Sequence, residues 1–265
     1  MPVFCKICSA ESVELFARGV VLGRYDVRFN RCAACGFVCT EEPYWLEEAY
    51  ADAITGSDIG LVSRNLAMAK IARVIISSFF ATNGQFLDYA AGYGLFVRLM
   101  RDQGVDFYWY DKHCTNIFAR QFEFSENDGA KYEMITAFEV MEHLDDPMAE
   151  LDLMLKTTRN ILFSTELLPK HVPKPAEWWY YGLEHGQHVS FYTKKSLEVI
   201  ASRLGLNFYS NGKSLHLFSE KKISATLFFL LARSKAASIL APLLPRKTLL
   251  FADVTKISQK GLQLL

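Results

Sequence analysis

Gln85-Phe-Leu-Asp88-Tyr-Ala90-Ala-Gly92-Tyr-Gly94-Leu95 is the stretch on which the reading of the fold turns. Gln85 to Tyr89 has the apolar and aromatic character of a short buried strand, and a helical pattern runs from Leu95 to Gln103. Gly92 and Gly94 fall where strand gives way to helix. Glycine there lets the backbone approach a ligand closely, and the first helical turn offers unpaired N–H groups.

Outward from this stretch, strand-like runs alternate with helical ones. Phe107 to Asp111, Met134 to Phe138 and Asn160 to Ser164 read as strands, and Met148 to Lys156 as a helix. A helix from Thr193 to Leu204 then precedes two β-like runs, Asn207 to Ser210 and Leu215 to Ser219, joined through Asn211-Gly212. Alternation of this kind predicts βαβ units around a parallel sheet, and Asn-Gly between strands predicts a closing antiparallel hairpin. Before the stretch lie a Cys-rich segment and a helical linker (Tyr44 to Tyr50, then Arg64 to Phe80). After the hairpin the chain is apolar and helix-prone, broken by Pro242 and Pro245. The expected organisation is a small module at 1–40, a linker at 41–82, an α/β domain at 83–220 and a helical extension at 221–265.

The chain has 265 residues, enough for one substantial core and a small appendage. Its 29 Lys and Arg balance 29 Asp and Glu, so it lacks the basic excess of a nucleic-acid binder. Six cysteines, with no basic and apolar leader, point to a reducing cytoplasmic setting in which clustered cysteines hold metal.

The glycine loop has acidic partners. Asp88 precedes it, and Asp111 ends the next strand, where a carboxylate can accept ribose hydroxyls. A dinucleotide site would place a third glycine where Val97 stands, and Asp88 would crowd a pyrophosphate. S-adenosylmethionine carries an ammonium, a carboxylate and a sulfonium but no phosphate, and suits these residues better.

Asp88-x-Ala90-x-Gly92-x-Gly94 resembles the first motif of class I S-adenosylmethionine-dependent methyltransferases (type 11, 12 and 23), with Ala90 in place of the first glycine. Ala137-Phe138-Glu139-Val-Met-Glu142-His143-Leu-Asp-Asp-Pro147 resembles the family's fourth-strand motif, and His188-Val-Ser-Phe-Tyr-Thr193 the segment before its last helix and hairpin. The likeness covers about residues 63–220. It implies a doubly wound, mostly parallel, seven-stranded Rossmann-like sheet with an antiparallel last strand. It also implies a cofactor held by Asp88, Ala90, Gly92, Gly94, Asp111, Phe138 and Glu139.

Cys5-x-x-Cys8 and Cys32-x-x-Cys35 form two knuckles whose thiolates can close a tetrahedral, structural zinc site with no open position for catalysis. Cys39 and Cys114 read as small hydrophobes. The module resembles that of bacterial sugar C-methyltransferases, which carry a sizeable further C-terminal domain. Here about 45 residues follow the hairpin, and short methyltransferases of glycan-building pathways fit as well.

Methyl transfer is an in-line displacement in which the protein positions the nucleophile and, for a hydroxyl or carbon acid, takes its proton. His143, with Glu142 adjacent, is the candidate base; a loop-holding role and a divalent-metal site are the alternatives. Trp178, Trp179, Tyr180, Tyr181, His185 and His188 follow the fifth strand, where open α/β sheets place substrate loops. They are the candidate contacts to a small or glycan-linked acceptor, or else a lid. The rivals are an RNA methyltransferase gripping nucleic acid through the zinc module, and a non-catalytic cofactor-binding scaffold. The C-terminal segment is read as packing on the core or on another subunit of a homo-oligomer. Interfacial membrane contact, aided by Arg233, Lys235, Arg246 and Lys247, is left open, and no transmembrane span is expected.

Overall fold

The computed structural model describes residues 4–51, 58–126, 130–245 and 247–263. Arg246, named above, lies outside them. In chain order the elements are β1 (Val13–Val21), β2 (Tyr25–Cys32), β3 (Val38–Thr40), α1 (Leu46–Ala49), α2 (Leu61–Phe79), β4 (Gln85–Tyr89), α3 (Leu95–Asp102), β5 (Asp106–Tyr110) and β6 (Tyr132–Ala137). Then follow α4 (Pro147–Leu155), β7 (Asn160–Ser164), β8 (Ser190–Phe191), α5 (Lys194–Leu204), β9 (Asn207–Ser210), β10 (Leu215–Ser219), α6 (Ala225–Leu231), α7 (Ser234–Leu240) and α8 (Leu250–Gln263). They pack as two units, residues 1–57 with 138–222 and residues 58–137 with 223–265.

The first unit begins with an antiparallel hairpin. β1 and β2 pair antiparallel through a tight turn in which Leu22 and Gly23 both have positive φ, +52° and +69°. That geometry matches the right-handed twist of the flanking strands. β3 joins β2, and the two-residue β8 joins β3, both antiparallel. The cysteine segment therefore shares a sheet with residues from far along the chain. Between them lies a core of Phe29, Trp45, Tyr180, Tyr181, Val189 and Phe191. Trp45 is buried to its nitrogen, which donates to the Gly186 carbonyl at 2.8 Å. A Cβ on Gly186 would lie 2.8 Å from Val21, so only glycine lets the chain pass there at φ +68°. The Asn-Gly hairpin forms as read: β10 pairs antiparallel with β9 and with β7. Asn211 Oδ1 accepts from the backbone N–H groups of Lys213, Ser214 and Leu215.

The second unit centres on β4, with β5 and β6 parallel on either side. Phe86 and Leu87 are fully buried, as a strand covered on both faces requires. Of the seven strands expected in the α/β domain, the described residues supply β4, β5 and β6 here and β7, β9 and β10 in the first unit. Among its described residues, the stretch between β5 and β6 supplies a bridge, Glu123 to Trp109 of β5. Asn116 occupies that stretch with side-chain bonds to Ala119 N and Glu123, the turn chemistry that competes with a ladder.

Arg101 binds this unit together. It is 4% exposed and forks onto Asp253 of α8, with Nη2–Oδ1 at 2.7 Å and Nε–Oδ2 at 2.9 Å. It also reaches Asp106 and the Phe107 carbonyl of β5, and lies over the Phe122 ring at 3.7 Å. Burial works against the Asp253 charge, but the bonds from Arg101 and Arg98 outweigh it and hold the carboxyl below its usual range. Asp253→Ala should cost about 3–5 kcal/mol, because it strands a buried guanidinium. Urea unfolding would read this directly. Arg101→Met combined with Asp253→Ala should recover much of the loss, and a double variant as unstable as Asp253→Ala would contradict the pairing.

Candidate functional site

The glycine loop is held before any ligand arrives. Ala90, at the place of the first glycine, adopts φ +56°, while Gly92 and Gly94 adopt +53° and +84°. A side chain in the left-handed region costs energy, and alanine carries that cost here. Gly94 has no such freedom: a Cβ would meet Asn116 Oδ1 at 2.8 Å and Ala119 at 3.2 Å. Asp111 ties the loop to the end of β5. Its Oδ2 accepts from Gly92 N at 2.8 Å, and its Oδ1 accepts from His113 N and Cys114 N at 2.7 Å each. Trp109 Nε1 donates to the Gly92 carbonyl at 2.8 Å. Neither bond was visible in the sequence, although a tryptophan two residues before the strand-end acid is a signal worth using.

Asp88 is buried, and its Oδ1 accepts from Thr136 Oγ1 at 2.6 Å. Burial raises its pKa to about 7 in spite of that bond, and the Asp111 charge adds to the rise.

In the other unit, Phe138 and Glu139 open the segment that leads to the histidines. Glu139 stands at φ +53°. Its N–H donates to Ser164 Oγ at 2.7 Å, and that hydroxyl donates to Glu139 Oε1 at 2.6 Å. Residues 141–143 form a 3₁₀ turn clamped from two sides. Tyr192 Oη donates to the Met141 carbonyl at 2.9 Å, and Val189 N to the Glu142 carbonyl at 2.8 Å. Glu142 is fully buried, and neither carboxylate oxygen meets a hydrogen-bond partner among the described residues. Burial, then the Glu139 charge, lifts it to about 8.

His143 is bonded through Nδ1 to Tyr50 Oη at 3.0 Å, a partner with no mark in the sequence. Its ring meets that of His188 edge-on, with centroids 4.8 Å apart. Burial, then His188 and His185, hold it well below the ordinary histidine range. His188 Nδ1 donates to the Tyr180 carbonyl at 2.6 Å, so in the neutral ring Nε2 bears the lone pair. Burial takes His188 down to about 4. His185 Nδ1 accepts from Gln187 N at 3.1 Å. Glu142, His143 and His188 offer atoms within 4.8 Å of one another, a spacing open to a cation as well as to a proton.

The aromatic run separates. Tyr180 and Tyr181 are 1% exposed and belong to the core, so their faces form no open stacking platform. Their hydroxyls are used inside: Tyr180 bonds Thr165 Oγ1 at 3.1 Å and Tyr181 the Pro173 carbonyl at 2.9 Å. Trp178 packs against this core, and Trp179 alone of the four stands in solvent, 74% exposed.

Cys5, Cys8, Cys32 and Cys35 converge, all as free thiols, with their sulfurs within 4.8 Å of one another. Cys5–Cys35 is 3.6 Å and Cys8–Cys32 3.5 Å. Zinc–sulfur bonds of about 2.3 Å place tetrahedral ligands about 3.8 Å apart, so the quartet has the size that zinc requires. The bond to Cys35 pulls the Cys5 thiol down to about 5 and pushes Cys35 up. Gly36 follows the knuckle at φ +77°, where a Cβ would lie 2.9 Å from Thr193. Cys39 and Cys114 stand apart from the quartet, and burial pushes both to about 11.

No curated protein matches the chain in sequence. Among solved structures, the plantazolicin methyltransferase BpumL in complex with SAH is similar at 12% identity and TM-score 0.43, over 66% of this chain and 93% of that one. OxaC in complex with SAH and oxaline is 15% identical with TM-score 0.39, over 58% of this chain and 46% of that one. An O-methyltransferase family protein from Burkholderia thailandensis is 12% identical with TM-score 0.45, over 68% of this chain and 64% of that one. The methyltransferase-domain family Methyltransf_23 matches residues 63–211, more than half of the chain, and the chain belongs to that family.

Proposed function

We propose that the protein transfers a methyl group from S-adenosylmethionine to a small-molecule or glycan-linked acceptor in the cytoplasm. The observation that carries the cofactor is the loop of Ala90, Gly92 and Gly94 held between two carboxylates, with buried Val97 where a dinucleotide site needs glycine. When bound, the cofactor supplies an electrophilic methyl group. Asp88 would take its ammonium. Asp111 would take the ribose, but its oxygens already accept three N–H groups, and a carboxylate has about four lone-pair sites. One ribose hydroxyl fits there without releasing the loop. The balanced charge of the chain disfavours nucleic acid as acceptor.

His143 is the candidate general base, with Glu142 beside it. Burial keeps its imidazole neutral, and where Nδ1–H donates to Tyr50 Oη the lone pair on Nε2 is left to accept a proton. The cysteine quartet would hold a structural zinc, with all four positions filled by protein.

Three measurements test these assignments. Elemental analysis of protein purified without chelator should find one zinc per chain. Cys35→Ser should lose the metal and speed hydrogen exchange through β1 to β3, since binding a structural metal contributes to folding. Intact exchange protection in metal-free protein would sink the structural role.

Asp88 gives a test through pH. Its folded pKa of about 7 lies above the usual 3.8, so the folded state holds its proton more tightly. Stability is therefore lost as pH rises from about 4 to 7. Asp88→Asn should stabilise the ligand-free protein at about pH 8 by up to about 4 kcal/mol, and hardly at all near pH 4. Cofactor binding runs the other way, because the ammonium favours the ionised acid. Wild-type affinity should fall roughly tenfold per unit below about pH 7, and that of Asp88→Asn should be weak and flat with pH. Calorimetry showing parallel pH profiles would remove Asp88 from the cofactor site.

His143→Ala should lower kcat by about 10²–10⁴-fold with cofactor affinity unchanged, measured as labelled methyl transfer into glycan-containing extract fractions. Loss of cofactor affinity and of thermal stability together would mark His143 as structural. Activity that rises with added divalent ions would point to a cation on Glu142, His143 and His188.

A further inference from the structure

The C-terminal helices are built against the ordinary pattern of a surface helix. α8 turns its acid inward: Asp253 is 3% exposed and is neutralised by Arg101 and Arg98. Its outward face carries Leu250, Phe251, Val254 and Ile257, a spacing that gathers them on one side of a helix. Phe251 is 77% exposed. The preceding helices add to this surface, with Ile239 70% and Leu243 76% exposed. Of the twenty-one large apolar side chains exposed among the described residues, nine lie between Leu227 and Ile257, about an eighth of the chain. Single exposed apolar residues are normal on a protein surface, but a concentration of this kind marks a contact.

Charge identifies the partner. The chain as a whole is neutral, yet residues 223–260 carry six Lys or Arg and one acid, the buried Asp253. Apolar side chains set among an excess of basic residues match the surface of an anionic bilayer, where the rings enter the acyl boundary and the basic groups meet phosphate. Two copies of this face would instead bring like charges together across a self-complementary interface. Arg233, stacked on Phe229 at 4.1 Å, has the pairing of apolar body and basic tip that suits a headgroup layer. No single described helix is long and apolar enough to cross a membrane. The apolar pair Ala225–Leu231 and Ser234–Leu243 is bent by 82°, which suits lying in the interface.

We infer that the exposed apolar and basic side chains of α6, α7 and α8 dock the protein peripherally on anionic phospholipid, bringing the enzyme to a membrane surface. The inference stands apart from the identity of the methyl acceptor.

Co-sedimentation of the full chain with phosphatidylglycerol–phosphatidylcholine vesicles tests it. Binding is expected at about 0.1 M salt and should weaken steeply by about 0.5 M, with little binding to pure phosphatidylcholine. Phe251→Glu and Ile239→Glu, both at solvent-facing positions, should lower partitioning at least about tenfold while leaving the melting temperature and cofactor binding unchanged. Arg233→Gln with Lys235→Gln should lower it by about 25-fold, at about fivefold per charge. No binding to anionic vesicles at low salt would overturn the inference. So would salt-insensitive binding to both vesicle types, or a dimer by light scattering that Phe251→Glu dissociates.

Discussion

The arrangement of the cofactor half rests on the carboxylate of Asp111. Three backbone N–H groups converge on it, one from Gly92 in the loop after β4 and two from the turn after β5. Two loops that emerge side by side from a parallel sheet are thereby joined at their tips. The bond also fixes which way the glycine loop faces. With Trp109 gripping the Gly92 carbonyl, both polar groups of that residue are committed, and the loop keeps a strained Ala90 at φ +56° without collapsing. A site held in this way binds a ligand without the cost of ordering it.

This half was legible because each of its features is local. A buried parallel strand is a continuous apolar run, the loop is spelt in glycines, and the next acid sits where the next strand must end. What stayed hidden was the division of labour within Asp111, since hydrogen bonds from backbone leave no trace in residue type. The Asn-Gly hairpin was equally plain, and its registers follow the turn. By contrast β1 gives no signal because its burial alternates poorly and the register shifts between Leu15 and Ala17, whereas β2 carries a clean period of two from Tyr25 to Asn30 that marks a strand. A bulged, half-exposed strand such as β1 lacks the period of two on which such readings depend.

The candidate chemistry was legible in kind but less so in arrangement. Glu142 and His143 were marked by their place after a strand, and His188 by its place in a motif. Tyr50, which holds the imidazole, comes from the end of a four-residue helix almost a hundred residues earlier. The aromatic run misleads for a physical reason. Composition shows that Trp178 to Tyr181 are rings, but a 3₁₀ turn sends successive side chains in different directions. Tyr180 and Tyr181 enter the core as a result, and Tyr180 shapes the site through its carbonyl, which fixes the tautomer of His188.

The same limit explains the C-terminal segment. Sequence period tells that α8 has an apolar side and a polar one, and the ordinary inference sends the apolar side inward. Here a buried arginine reverses it. Arg101 lies under the helix with its charge removed from water, and its pairing with Asp253 occupies the inward side of α8. Asp253 therefore decides the rotation of the helix, and the apolar stripe faces outward as a consequence. An ion pair within the fold thus sets what the protein presents to its surroundings.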